Sequence, residues 1–265
     1  MTSKNILLTG GHSGMGLELT KMLIDEGHKI GLIVRNEKRK NDAIEELSNS
    51  SKQIDFFFAD LSKREDIQRV AKDIKTSWTK IDIIFNNAGV LLDKLYFSDY
   101  GNELQLEINA LSPYLLTKEL LPILEKSQNA LVVNTATSGL QNKKTIDIPN
   151  FKKPKKFTKL TGSYLDSKFM MVLLMNYLDS KNKNIRVISV NPGAIKTKMT
   201  AGDGMPFWLK PIRNLLFKSP KKGAQNLYDA AFSEKLNGNG IYISDGKVKE
   251  MKVALNDSEY NQLLK

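Results

Sequence analysis

Seven short runs of apolar and β-branched residues alternate along this chain with six longer amphipathic stretches. The short runs are 5–9, 29–34, 54–59, 81–86, 130–135, 185–190 and 241–243; the amphipathic stretches are 14–26, 37–49, 63–78, 101–125, 163–179 and 220–232. A strand is too short to bury itself, and a helix between two strands lets them run parallel. The alternation therefore predicts an α/β fold: one Rossmann domain over 1–265 with a doubly wound, seven-stranded parallel sheet and helices on both faces. The expected strand order is 3-2-1-4-5-6-7, with the ligand crevice at the carboxyl ends of the strands. Two segments break the rhythm, at about 139–162 and 196–220, and long irregular stretches inside a compact domain tend to be functional loops.

Directly after the first strand the chain reads Thr9-Gly10-Gly11-His12-Ser13-Gly14-Met15-Gly16. Glycines at 10, 14 and 16 permit a tight turn and let backbone N–H groups and a helix start approach a pyrophosphate. The spacing is T-G-x-x-x-G-x-G rather than G-x-G-x-x-G. His12 lies in this turn and reads as a side chain that the loop tolerates, counted with Ser13 and Met15 among the residues around the phosphates. The second strand ends in Val34-Arg35-Asn36, where NAD-selective folds carry a carboxylate for the ribose. A guanidinium at Arg35, with Lys38, Arg39 and Lys40 behind it, suits a 2′-phosphate instead, so NADP(H) is favoured over NAD(H). Glu37 is the dissenting residue, since a small register shift would bring it to the ribose.

Further along, Tyr164 and Lys168 stand four residues apart at the start of an amphipathic stretch, one above the other on a helix face. An ammonium beside a phenol favours the phenolate, so Lys168 is expected to lower the Tyr164 pKa toward neutrality and make it an acid–base group. Asp60-Leu61 follows the third strand, Asn86-Asn87-Ala88-Gly89 ends the fourth, Asn109 lies in the long helical stretch 101–125, and Asn191-Pro192-Gly193-Ala194-Ile195-Lys196-Thr197 follows the sixth strand. With the glycine turn and the Tyr164–Lys168 pair, these pieces in this order resemble the short-chain dehydrogenase/reductase superfamily across nearly the whole length. The stretches 147–168, 219–230 and 238–247 more loosely resemble retinol-dehydrogenase-type carbonyl reductases.

The resemblance implies an NADP-dependent oxidoreductase that interconverts a carbonyl and an alcohol by hydride transfer. Tyr164 would be the general acid/base, Lys168 would tune it and bind the nicotinamide ribose, and Asn109 would hold a water between Lys168 and solvent. Asp60 and Leu61 would contact adenine, and Asn87, Ala88 and Gly89 would line the cofactor cleft. Pro192 and Gly193 would turn the chain beneath the nicotinamide, with the Ile195 backbone and Thr197 hydroxyl on its carboxamide and the nearby phosphate. The hydroxyl that polarises the substrate oxygen is either Thr137, by strand register, or Ser138, by residue type. Met199, Met205, Phe207, Trp208, Leu209, Leu215, Leu216 and Phe217 form an apolar stretch that reads as a lid over a small apolar substrate. A non-catalytic NADP-binding redox sensor is the alternative function.

Composition narrows the partners. With no cysteine, disulfide and thiolate chemistry are excluded, and no metal site is expected. The net charge of +11 is mostly lysine, densest at Lys152, Lys153, Lys155, Lys156 and Lys159. The arginine and aromatic interleaving of nucleic-acid readers is missing, so no nucleic-acid partner is expected. No apolar leader or spanning segment is visible, so neither a secretory signal nor a membrane anchor is anticipated and the expected location is cytoplasmic. Self-association into a homo-oligomer is compatible with the resemblance, though no interface signature is legible.

Overall fold

The computed structural model describes residues 2–47, 54–206, 213, 216–233 and 240–265. Its strands are β1 (Asn5–Thr9), β2 (Lys29–Val34), β3 (Ile54–Phe58), β4 (Ile83–Asn86), β5 (Ala130–Thr135), β6 (Ile185–Val190), β7 (Ile241–Ser244) and β8 (Lys247–Lys249). They form one sheet in the order β3-β2-β1-β4-β5-β6-β7-β8, parallel from β3 through β7. The expected order of the first seven strands is therefore present. The eighth is an addition to the seven anticipated: β8 pairs antiparallel with β7. Its cause lies in the turn, where Asp245 (φ 55°) and Gly246 (φ 71°) both occupy the left-handed region. An Asp-Gly pair with two positive φ values closes a two-residue hairpin, because that turn matches the twist of the flanking strands.

Burial on both faces explains why the strands read as apolar runs. Leu7, Ile33, Phe57, Ile84, Val132 and Val187 point to one side. There they meet α3 (Arg64–Ser77), α5 (Ser112–Leu124) and α7 (Ser163–Lys181) through residues such as Ile74, Leu120 and Leu173. Ile6, Leu8, Leu32, Phe85, Val133 and Ile188 point to the other side. They are covered by α1 (Gly14–Asp25), α2 (Glu37–Leu47) and α9 (Pro220–Phe232) through residues such as Leu19, Ala43 and Leu227. The expected helix 37–49 is present over Glu37–Leu47; its last two residues lie outside the described ones.

The stretch anticipated as a single helix over 101–125 is three pieces. A single turn, α4 (Leu104–Leu106), runs into a π turn at Glu107–Leu111 and then into α5. Pro113 supplies a reason, since it has no N–H to return to the Asn109 carbonyl four residues earlier. Widening the turn accommodates the proline, and such π turns recur at functional sites. Glu107, fully buried in that turn, is held by Arg64 through two bonds (Nε–Oε1 2.7 Å, Nη2–Oε2 3.2 Å) and by the Asn102 amide at 2.8 Å. The irregular segment 139–162 contains a short 3-10 turn at Leu140–Asn142 and α6 (Ile148–Lys152), and the segment after β6 contains α8 (Lys198–Ala201). The chain ends in α10 (Asp257–Leu264). Among the described residues no helix is long and apolar enough to cross a membrane.

Candidate active site

The carboxyl ends of β1, β4 and β5 are tied together by short polar side chains. The Thr9 hydroxyl accepts the N–H groups of Asn87 and Ala88, both at 3.0 Å. The Asn87 amide donates back to the carbonyls of Thr9 (3.2 Å) and Gly10 (3.3 Å), and its oxygen accepts from the Thr135 hydroxyl at 3.4 Å. Around this knot the glycine turn leaves a cradle that side chains could not. A Cβ on Gly16 would come within 3.0 Å of the Gly10 carbonyl and the Asn87 amide, closer than real Cβ atoms approach. Gly10 itself has φ 69° and lies against the Ala88 backbone.

Two depressions meet at this cradle. One, of about 260 Å³, is lined by Gly10, His12, Ser13, Gly14, Met15 and Gly16 at one end and by Tyr164 and Lys168 at the other. Asn87, Ala88, Gly89, Thr135, Thr197, Lys198 and Met199 complete its wall. The second, of about 220 Å³, continues past His12 to Arg35, Arg39, Asp60 and Leu61. Together they form a trough whose length and backbone-rich floor suit a dinucleotide, with a polar turn in the middle for its phosphates.

Arg35 and Arg39 both line the second depression, so the register question after β2 has an answer. Glu37 turns outward and pairs with Lys40 at 3.3 Å. Asn36 does not line the trough; its side-chain oxygen caps α2 by accepting from the Arg39 N–H at 3.1 Å. Arg39 was legible only as part of a basic run, because which face of α2 turned inward depended on the helix start.

At the other end, Tyr164 and Lys168 are both buried on the first two turns of α7. The Lys168 ammonium donates to the Thr135 carbonyl at 2.7 Å. Burial lowers its pKa to about 8. The Tyr164 phenol is pushed up to about 12 by burial, offset in part by a hydrogen bond with the Thr137 side chain. The expectation that Lys168 draws the phenol toward neutrality is thus corrected: loss of solvent around the phenolate outweighs any effect of an ammonium that is itself desolvated. Thr137 is the hydroxyl at the phenol, while Ser138 is exposed. Tyr242 on β7 fixes the Thr137 backbone, its hydroxyl donating to the Thr137 carbonyl at 2.6 Å.

Asn109 is fully buried in the π turn, its amide bonded to the Val90 carbonyl and the Ser167 hydroxyl, each at 3.0 Å. Its side-chain oxygen accepts the Val90 N–H at 2.8 Å. Ser167 in turn donates to the Tyr164 carbonyl at 2.8 Å, so the π turn and the start of α7 form one rigid unit. Gly89 sits against both: a Cβ there would lie 3.1 Å from the Asn109 oxygen and 3.4 Å from the Lys168 ammonium.

Beyond β6 the placement is mixed. Thr197 lines the trough and caps α8 by accepting the Thr200 N–H at 3.3 Å. Lys198, absent from the residues chosen by sequence, lines it too. Ile195 is buried and pairs with Lys218. Pro192 and Gly193 stand outside the two depressions; the Pro192 carbonyl accepts from Asn226 at 2.9 Å, and Gly193 lines a separate hollow with Asp229 and Asp245. Of the anticipated lid, Met199 lines the trough and Met205 is buried, whereas Leu216 is exposed. Phe207, Trp208, Leu209 and Leu215 lie outside the described residues.

The Gly-rich turn after β1 and the strands through β5 fall within residues 4–149, which match the short chain dehydrogenase family. The chain belongs to the short-chain dehydrogenase family. Relatives of this short-chain dehydrogenase include a short-chain dehydrogenase/reductase of Armillaria gallica, 30% identical over 90% of this chain and 80% of the relative. Mouse (Mus musculus) retinol dehydrogenase 11 is 27% identical over 92% of this chain and 78% of its own. Among solved structures, salutaridine reductase from Papaver somniferum superposes with a TM-score of 0.72 at 21% identity, covering 91% of this chain and 99% of that one. That likeness carries the fold.

Proposed function

We propose that this short-chain dehydrogenase interconverts a carbonyl and an alcohol with NADP(H), Tyr164 moving the proton. The observation that carries the reading is the trough itself: one continuous surface runs from Arg35 and Arg39 past the glycine turn to the Tyr164 phenol, with Lys168 beside it. The cradle left by Gly10 and Gly16 fits a pyrophosphate that approaches the backbone closely. Two guanidiniums and no carboxylate-bearing Glu37 in the second depression fit a 2′-phosphate. When bound, NADP(H) supplies or accepts the hydride.

Tyr164 lines the trough and Thr137 is bonded to its phenol, so Thr137 is the hydroxyl assigned to polarise a substrate oxygen there. A phenol that keeps its proton at neutral pH is poised to donate it, which is the role that carbonyl reduction requires. Lys168, buried and bonded to the Thr135 carbonyl, is placed to hold the ribose and to pass a proton back to the phenol. Asn109 would serve through its main-chain carbonyl, which Pro113 leaves without an α-helical donor, while its side chain locks the π turn. Relatives named for retinol and polyprenol support an apolar alcohol or carbonyl substrate.

The test is Tyr164→Phe, assayed with NADPH and NADH against a panel of apolar aldehydes and ketones. Turnover should fall by roughly 10²–10⁴-fold, with NADPH binding changed by less than about twofold. Wild-type protein that binds NADPH tightly and reduces nothing in the panel would favour the redox-sensor reading. Wild-type protein that prefers NADH would remove the roles given to Arg35 and Arg39.

A further inference from the structure

Three hydrogen bonds hold the backbone of three successive residues at the end of β5. The Lys168 ammonium donates to the Thr135 carbonyl at 2.7 Å, and the Ala136 N–H donates to the Val190 carbonyl at 2.8 Å. The Tyr242 hydroxyl then donates to the Thr137 carbonyl at 2.6 Å. The pairing of β5 with β6 ends at Thr135 and Val190, and Gly139 (φ 83°) turns the chain away. Thr137 therefore lies past the last strand-paired residue, and a side chain from β7 takes the place of a ladder partner. The Tyr242 oxygen is also bonded by the Leu140 backbone. Its ring is buried in the core, so the hydroxyl has a fixed origin. Two residues on, the Ser244 hydroxyl accepts from the Asn191 amide at 3.0 Å, and the Asn191 side-chain oxygen accepts the Gly193 N–H at 3.0 Å. Neighbouring positions of β7 thus hold the backbone that follows β5 and the backbone that follows β6.

We propose that Tyr242 is a positioning residue for carbonyl reduction, acting through Thr137, and that β7 sets the spacing between the polarising hydroxyl and the Tyr164 phenol. The inference rests on the function proposed above. Tyr242 lies outside both depressions and so meets neither substrate nor cofactor. Thr137 bonds the Tyr164 phenol through its side chain, so a shift of its backbone carries the hydroxyl with it. The segment is gripped from two sides: α7 holds it through Lys168 at Thr135, and β7 holds it through Tyr242 at Thr137. A donor aimed at developing charge contributes most when its place is fixed before the reaction begins. A displacement of about 1 Å, caused far from the reacting atoms, can cost about 10²-fold in rate. Tyr242→Phe keeps the ring in the core and removes only the bonds to its oxygen.

The experiment is a double-mutant cycle of Tyr242→Phe and Thr137→Val, with steady-state kinetics on one apolar carbonyl substrate and NADPH. Tyr242→Phe alone should lower kcat and kcat/KM together by about tenfold, the pattern of an interaction made only in the transition state. KM and NADPH affinity should change by less than about twofold. In the Thr137→Val background the same substitution should change kcat by less than about twofold, because the group it positions is gone. An undiminished loss in that background would mean that Tyr242 acts on the fold at large, and overturns the role. Wild-type kcat in Tyr242→Phe alone overturns it too. Hydrogen exchange of the substrate-free protein supplies a readout independent of turnover. The Leu140 amide should exchange at least about tenfold faster in Tyr242→Phe, while the amides of β1 and β4 keep their wild-type rates. Unchanged exchange at Leu140 overturns Tyr242 as the anchor of this segment. Wild-type protein that turns over no carbonyl overturns the proposed function and the role of Tyr242 with it, so the activity of the wild type tells the two failures apart.

Discussion

The cofactor end and the substrate end of the trough are built in different ways. At the cofactor end, short side chains at strand termini do the positioning: Thr9, Asn87 and Thr135 bond one another and the neighbouring backbone within a buried knot. In the irregular segments beyond β5 and β6, long side chains make the ties. Lys143 pairs with Asp166, Lys159 donates to the Asp203 carbonyl at 2.7 Å, and Arg213 reaches the Thr197 carbonyl and the Thr200 hydroxyl, each at 3.1 Å. A short buried side chain has few alternatives and loses little entropy when fixed, whereas a lysine gives up several rotamers for one exposed contact. One end is therefore rigid and intolerant of change, and the other adjustable.

That contrast can be broken most sharply at Gly16. In Gly16→Ala the methyl would collide with the Gly10 carbonyl, so the turn must move. Dinucleotide affinity should fall by at least about a hundredfold, with a stability loss of about 1–3 kcal/mol from overpacking. Titration of cofactor fluorescence and thermal melts check both, and near wild-type affinity would mean that the turn is as soft as the far end.

The two candidate hydroxyls sharpen the comparison at the junction. Thr137→Val should lower kcat by roughly 10²-fold, as loss of a positioned donor does, while Ser138→Ala changes it by less than about twofold. Steady-state kinetics with one carbonyl substrate decides it, and the reverse ranking would move the polarising role to Ser138.

Lys168 tests whether the rigid end carries a cost. Its ammonium, lowered to about 8 from 10.5 by burial, loses its proton earlier in the folded chain than in the unfolded one. Between about pH 8 and 10.5 the unfolded chain binds more protons, so stability contributed through this group rises with pH across that window. Lys168→Met should inactivate the enzyme yet stabilise it at pH 7 by about 1–2 kcal/mol, after the lost Thr135 bond is subtracted. Denaturant melts at pH 7 and above should show the gain shrinking as pH approaches 10.5. No gain at pH 7 would mean that the ammonium is better solvated than its burial implies.

The smallest effect belongs to the adjustable end. Lys143→Ala removes a partly exposed ion pair to Asp166, and stability should change by less than about 1 kcal/mol. KM for a carbonyl substrate should rise a few-fold with kcat nearly constant, since the segment that carries Lys143 loosens but the chemistry does not. A large drop in kcat would place Lys143 in the rigid half.

Most of what was legible beforehand belongs to that rigid half. The glycine turn, Asn87, Ala88, Gly89, Arg35, Asp60, Leu61, Tyr164 and Lys168 all meet in the trough, because strand ends are located by hydrophobic period and the residues just past them converge on one edge of the sheet. Asn36 instead caps α2, and Gly193 lines a separate hollow, placements set by a helix start and a turn direction that no local pattern records. The extra strand β8 was written in Asp245-Gly246, a hairpin signal hidden inside a segment matched as a block to related reductases.

By itself the sequence determined where the first seven strands lie along the chain and which helix faces turn inward, since these follow from local periodicity and from residues with narrow backbone preferences. Tertiary structure alone decided that Arg39 joins Arg35 and that His12 borders both depressions. It also decided the protonation of the pair at the centre: the spacing of Tyr164 and Lys168 fixes their common helix face, but a pKa depends on how much water the surrounding fold removes, and that is a sum over the whole environment.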